Sequence, residues 1–354
     1  MIDAHIIAAR RTIVAPKGGA LSTLSLHDMA APVIRAALDD AMIGPHQVDE
    51  VILSNAIGGG GNPARLAALA AGLPEHVAGL TIDRQCAGGL DAIGMGLAMV
   101  RSGLAKVVVA GGLESHSRRP IRMAVPIDGP PVAYDRPPFS PWPDRDPDLP
   151  VAADALNIPR ERQDVWAMDS HDKAMNSRTA LRFEIVPLGA ELDDPFTRDL
   201  SPRLVARAPV VTGQLTAVNT AVAADAAAVI VIVAADLITR ASVRIDKYVS
   251  IGGDPAQPAL APIEAINRLG THDIAQAEIM EAYAAQCIAT VDATGIDPKI
   301  VNPKGGALAR GHPIGASGAI LAVRLFHDLA GTGKSGIAAI AAAGGIGSAL
   351  RVTG

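Results

Sequence analysis

One cysteine and one histidine stand out by their settings. Cys86 lies in Ile82-Asp-Arg-Gln-Cys-Ala-Gly-Gly-Leu-Asp91, where a predicted strand ends and an apolar helix begins. A thiol at a helix N-terminus meets unpaired N–H groups and the positive end of the dipole, which lower its pKa and suit it to nucleophilic attack. Gly88 and Gly89 are expected to let the chain turn sharply and a substrate approach. A small buried core cysteine would fit the same spacing. His312 lies in Asn302-Pro-Lys-Gly-Gly-Ala-Leu-Ala-Arg-Gly-His-Pro-Ile-Gly-Ala-Ser-Gly318. Flanked by Gly311 and Pro313, it cannot sit in mid-helix and is placed on a turn ahead of a second apolar helix. Taken alone it is also compatible with a surface histidine. If the two helix N-termini face one cleft, Cys86 and His312 meet as nucleophile and base. His27, His46 and His272 have no comparable setting, and no paired His/Asp/Glu spacing points to a metal. The second cysteine, Cys287, falls in a predicted helix and reads as a buried structural thiol.

The elements around these residues repeat. Val48–Ala56 and Ile274–Ala282 both read as strands following amphipathic helices, 226 residues apart. Cys86–Gly89 and Gly315–Gly318 each open an apolar helix, and each helix is followed by a strand ending in Gly-Gly: Lys106–Ala110 before Gly111, and Gly336–Ala342 before Gly344. Three correspondences at nearly constant offset predict two βαβ-rich halves of similar topology, each a mostly parallel sheet covered by helices. Ten of the 26 prolines fall within 120–150, a density incompatible with regular helix or a central strand. The domains are therefore expected as 1–118 plus 212–238, an inserted segment 119–211, and 239–354. The insertion carries a predicted helix over Asp164–Arg182, and the first half closes with a strand Ala226–Ala234. The aromatics Tyr134, Phe139, Trp142, Trp166, Phe183 and Phe196 lie inside the insertion, holding it together or lining a groove.

Composition narrows the class. The 354 residues are 49% hydrophobic but only 3% aromatic, with 35 glycines, so the core is expected to close by near backbone approach. A net charge of −5 disfavours nucleic acid as a partner. The longest apolar run, Ala226–Ala235, is too short to span a membrane. The N-terminus lacks the features of a signal peptide, which predicts a cytoplasmic protein. Two cysteines exclude a disulfide framework.

Several segments together resemble the thiolase family of acyl-CoA acyltransferases: Arg11-Thr12, Asp83–Gly89, Gly111-Gly-Leu-Glu-Ser115, Met280-Glu-Ala-Tyr-Ala-Ala-Gln286 and Gly305–Gly318, in the family's order and spacing. The resemblance implies an α/β thiolase fold, a five-layered αβαβα sandwich of two pseudo-symmetric halves with an inserted loop domain. It also implies a homodimer or dimer of dimers. By similarity Cys86 takes an acyl group from a coenzyme A thioester, His312 activates it, and the amides of Cys86 and Ala343 form an oxyanion hole. No permanently bound cofactor is implied.

The pattern then breaks. Ala341 stands where the family has its second cysteine, the proton carrier of the condensation step. Met280 stands where the Asn-Glu-Ala-Phe motif has the asparagine that holds a water for the enolate oxygen. Gly344 follows Ala343 in the altered C-terminal motif. In the segment expected to hold coenzyme A, Ala221 replaces a serine, while Val218 and Val222 replace glycines. Arg118, Arg119 and Arg122 are either phosphate contacts or a solvated face. The resulting expectation is an acyltransferase working through a Cys86 acyl-enzyme, with impaired or altered Claisen condensation and thiolysis. A decarboxylative condensing enzyme and a non-catalytic subunit of a hetero-complex are the alternatives. Acyl-CoA or another acyl thioester is the expected partner.

Overall fold

The structure is a computed structural model and describes residues 2–354. Its frame is one ten-stranded mixed sheet. The strands are β1 (Ala4–Arg11), β2 (Glu50–Ser54), β3 (Ala78–Ile82), β4 (Val107–Ser115), β5 (Ala224–Ala234), β6 (Val243–Gly252), β7 (Ile274–Ile279), β8 (Ser335–Ala342) and β9 (Ile346–Thr353), in the spatial order β7-β8-β9-β6-β1-β5-β4-β2-β3, with the two-residue strand Ala15–Pro16 beside β5. The helices that cover it are α1 (Leu26–Ala41), α2 (Pro63–Ala70), α3 (Gly88–Ser102), α4 (Arg160–Asn176), α5 (Ala261–Leu269), α6 (Ala284–Thr294) and α7 (Ile314–Leu329).

The layers follow from burial on both faces of the sheet. Every residue of β4 and β5 is buried, so these strands read as unbroken apolar runs instead of alternating ones. One face of the first half packs on α1 and α2. The other face packs on α3 and α7, which the second half covers from the far side. Helices α5 and α6 close the second half from outside. The five layers expected from the resemblance are present.

Two expectations are corrected. The halves are not mostly parallel: β2 pairs in parallel with β3 and β4, and β7 with β8, but β1–β5, β5–β4, β9–β6 and β8–β9 are antiparallel. The reason at β8–β9 is local, because a tight turn can join only antiparallel strands, and Gly344 and Gly345 both take positive φ there. Nor are there two separate sheets: His5 and Ile6 of β1 pair with Arg244 and Val243 of β6 and join the halves edge to edge. In the insertion, the helical stretch read as Asp164–Arg182 is α4, ending at Asn176, then a separate turn Arg178–Leu181.

The two central helices touch almost backbone to backbone. A Cβ at Gly89 would lie 2.7 Å from the amide of Ala319, and one at Gly318 would lie 2.5 Å from the amide of Leu90. Gly88 and Gly89, expected to make a turn and admit a substrate, are instead buried helical residues. Their small size serves this approach. Asp91 fixes α3 to the other half by accepting 2.5 Å hydrogen bonds from the Tyr248 hydroxyl and from Ser348 Oγ.

A buried ionic cluster ties the insertion to the frame. Arg11 on β1 donates from Nε to Glu184 Oε1 (2.8 Å) and from Nη1 and Nη2 to Asp194 (2.8 and 3.0 Å), while Arg324 on α7 pairs with Glu184 and Asp328. Burial opposes the charge on Glu184, but Arg324 and Arg11 outweigh it and hold the carboxyl at about 2. Replacing it leaves two buried guanidinium groups short of a partner. Glu184→Gln is expected to destabilise the fold by about 3–5 kcal/mol at neutral pH. The Glu184 contribution is present above the ordinary carboxylate range and is lost as pH falls through about 2. The deficit of the variant in thermal unfolding should therefore shrink in acid.

Candidate active site

Cys86 is placed by an abrupt backbone transition. β3 ends at Ile82, Gln85 adopts φ +44°, and a single turn Gln85–Ala87 leads into α3. A non-glycine residue in the left-handed region is uncommon and often stores strain beside functional groups. His312 sits two residues ahead of α7, after the short helix Ala307–Arg310 and Gly311 at φ +117°. Its amide donates to Val222 O at 2.7 Å, which anchors the loop to the segment just ahead of β5. The histidine and cysteine meet: His312 Nε2 lies 3.1 Å from Cys86 Sγ.

The tautomer follows from the other ring nitrogen. Ser317 Oγ donates its proton to Pro313 O at 3.0 Å, so towards His312 it can only accept. His312 Nδ1, 2.6 Å away, must then carry the hydrogen and donate it. That leaves Nε2 with a lone pair facing the thiol, the arrangement a general base requires.

The charge state differs from the sequence reading. The helix N-terminus was expected to lower the thiol pKa, but burial pushes Cys86 up to about 12, and the neighbouring Glu114 and Asp83 add to the rise. Burial likewise pushes His312 down to about 3, with His116 contributing. Thiol and imidazole are both neutral at rest.

Glu114 holds the surrounding loops. One of its carboxylate oxygens accepts from Asn55 Nδ2 (2.7 Å) and Ile57 N; the other accepts from Ala56 N and Gly315 N, both at 3.0 Å. Burial raises it to about 7. One carboxyl thus joins the loop after β2, the end of β4 and the first turn of α7, which carries the helix behind His312.

Cys86 opens into a cavity of about 900 Å³ lined by, among others, His116, Arg119, Arg122, Tyr134, Tyr283 and Ala343. A smaller space of about 40 Å³ lies on the other side, lined by Cys86, Tyr283, Gln286 and the alanines 341–343. Of the altered positions, Ala341 borders this smaller space. Met280 is buried in the central core, and Ala221 packs beside it with its amide on Ala282 O; neither lines the large cavity, and nor does Gly344, whose turn abuts Phe139. Arg119 pairs with Asp135 at 2.6 Å, Arg122 donates to Ala56 O, and Arg118 lies outside the large cavity. Tyr134 and Phe139 line the cavity, whereas Trp142 and Phe183 are exposed and Trp166 donates to Glu281 from within the packing. Cys287 is fully buried among the helices and strands of the second half. Among the described residues no group of three or more His, Cys, Asp or Glu is arranged to hold a metal, and no helix is long and apolar enough to cross a membrane.

The sequence reading assigned no role to Ser317, Glu114 or His116. Ser317 and Glu114 lie within quoted motifs, five residues after His312 and in Gly111–Ser115. Ser317 has its partners, His312 and Pro313, within five residues, whereas those of Glu114 are set by tertiary contacts that spacing does not reveal.

The chain is similar to known proteins along most of its length. Residues 4–131 match the family described as thiolase, N-terminal domain, and residues 239–353 match thiolase, C-terminal domain. A putative acetyl-CoA C-acetyltransferase, YhfS, of Bacillus subtilis is 38% identical over 99% of this chain and 98% of its own. The steroid 3-ketoacyl-CoA thiolase FadA6 of Mycobacterium tuberculosis is 34% identical over 93% of this chain and 88% of its own. Among solved structures, the Bacillus anthracis acetyl-CoA acetyltransferase superposes with a TM-score of 0.90 at 32% identity, covering 99% of this chain and 98% of that one. The Acat5 thiolase of Ascaris suum in complex with coenzyme A gives 0.91 at 28% identity, covering 99% of both.

A neutral resting pair has a measurable signature. Alkylation of Cys86 by iodoacetamide is expected to stay slow through neutral pH and climb as pH rises towards about 12, because only the thiolate reacts. An ion pair would instead give a plateau at neutral pH, which the rate profile distinguishes.

Proposed function

This chain belongs to the thiolase family, and we propose that it acts on acyl-CoA through an acyl-enzyme on Cys86, with His312 as the base. The observation that carries the reading is the 3.1 Å approach of His312 Nε2 to Cys86 Sγ, in the tautomer fixed by Ser317. As the thiol attacks the thioester carbonyl, its proton moves to Nε2 and a C–S bond forms. The carbonyl oxygen gathers negative charge, and the old C–S bond then breaks with its electron pair on the coenzyme A sulfur. The amides of Cys86 and Ala343 are the proposed oxyanion donors; Ala343 borders both spaces that meet at Cys86. A backbone donor does not depend on the side chain, so alanine at 343 is compatible with the role.

A cavity of about 900 Å³ suits a substrate with a long carrier arm, and the coenzyme A bound by the Ascaris relative supports the same ligand here. Condensation is the weaker half of the proposed activity. The methyl group of Ala341 moves no proton, and the Met280 thioether donates none. A missing acid–base group typically accounts for ~10²–10⁴-fold in rate.

Mixing the protein with acetyl-CoA is expected to add one acetyl group, read by intact mass spectrometry, and Cys86→Ala should abolish the adduct. No adduct on the unmodified protein would overturn the acyl-enzyme reading. Ala341→Cys, which refills the small space beside Cys86, is expected to raise acetoacetyl-CoA thiolysis at least about tenfold, followed by loss of the substrate's absorbance.

A further inference from the structure

One titratable side chain of the large cavity has no place in the mechanism above. His116 follows the last residue of β4, two residues after Glu114, so the strand that braces the catalytic loops also sets its position. It is half-buried and lines the same cavity as Cys86. Its imidazole has no hydrogen-bond partner among the described residues. The cavity's carboxylates are engaged: Asp135 with Arg119, Asp148 with Arg136, and Asp83 with the Gln85 amide. The Tyr283 phenol is pushed well above its ordinary pKa by burial and by Cys86, so it can donate but not accept a proton.

His312 itself is fully committed, with Nδ1 on Ser317 and Nε2 on Cys86. Yet each half of an acyl transfer also moves a proton on the far side of the acyl carbon, onto a leaving group or off an incoming one. We infer that His116 is the proton carrier on that side, and that the acyl acceptors of this site are protic heteroatom nucleophiles, thiols first, in place of a carbon acid. The inference rests on the acyl-enzyme reading and adds its acceptor class.

The step balances. The S–H of an acceptor thiol gives its proton to a free nitrogen of His116, and its sulfur forms a C–S bond to the acyl carbon. The bond to Cys86 breaks with its electron pair on Sγ. The proton on His116 then returns to Sγ through His312 Nε2, restoring the thiol and two neutral imidazoles. Acylation from a thiol ester is the same sequence reversed. Burial, then Arg119, pushes His116 down to about 4 against opposition from Asp225 and Asp135, with Lys17 also lowering it, so it is neutral and able to accept at physiological pH. Such a weak base suits a proton on sulfur that leaves in concert with attack. It is poorly matched to a C–H proton whose carbanion has no donor nearby, since Met280 is sealed in the core.

Two acyl donors separate this role from a structural one. Departure of the coenzyme A thiolate needs a proton, whereas 4-nitrophenolate leaves from 4-nitrophenyl acetate without one. In the full-length protein, His116→Gln and His116→Ala are expected to slow acylation of Cys86 by acetyl-CoA about 100-fold, while acylation by 4-nitrophenyl acetate changes less than about threefold. Added imidazole should restore part of the lost rate in His116→Ala only. Isolated acetyl-enzyme should pass its label to pantetheine and yield no acetoacetyl-CoA with acetyl-CoA. Equal losses with both donors, or no loss with acetyl-CoA, would overturn the role of His116; acetoacetyl-CoA formed as fast as the pantetheine ester would overturn the acceptor class. If 4-nitrophenyl acetate does not label Cys86 in the unmodified protein, the acyl-enzyme reading falls first, and the inference with it.

Discussion

Helices α3 and α7 cross with Gly89 and Gly318 at their closest approach, and the site exists because of that approach. Cys86 precedes one helix and His312 the other, so the separation of the helices sets that of the reacting atoms. Larger residues at Gly89 or Gly318 would drive backbone into backbone, and because interiors are close-packed the displacement would be passed to the loops. The low aromatic content has its physical reason here: large rings would hold these layers apart. Glu114 and Asp91 complete the placement, one gripping the loops ahead of α7, the other tying α3 to the opposite half.

Within that frame two electrostatic effects compete over the thiol. A helix N-terminus favours an anion by about 0.3–1 kcal/mol, up to ~2 kcal/mol in good geometries, or at most about 1.5 pKa units. Full burial shifts an ionisable group by up to about 3–5 units in the opposite sense. Burial wins, and the pair rests uncharged. The nucleophile is thus made only as it is used, which protects a buried sulfur from adventitious electrophiles.

Much of this was legible in the sequence. The settings of Cys86 and His312 and the offset between the halves predicted a shared cleft, and the structure joins the two side chains there. What could not be read was anything decided by a partner distant in the chain. Glu114 braces the site only because Asn55, Ala56 and Gly315 come to it from other loops, and His116 matters only because the fold turns it into the cavity. The expectation of a lowered thiol pKa failed for the same reason, since local sequence shows the helix but not the layers that bury it. The parallel-sheet expectation failed because helix–strand alternation does not reveal the return of β5 after a long insertion. Met280 and Ala221 were read as substrate-facing from the motifs they interrupt, but both belong to the packing behind the cavity.

The first strand also sets a timetable. β1 lies at the centre of the sheet, with Ala4 paired to Ala234 and His5 to Arg244. At ~5–20 residues per second, the ribosome takes roughly 10–50 s to make the neighbours that this strand needs. Throughout that interval an apolar segment, Ile6–Ala9, has emerged with both edges unpaired, the state most open to capture by another nascent chain. In the cell, therefore, β1 finds its partners only when about two thirds of the chain exist.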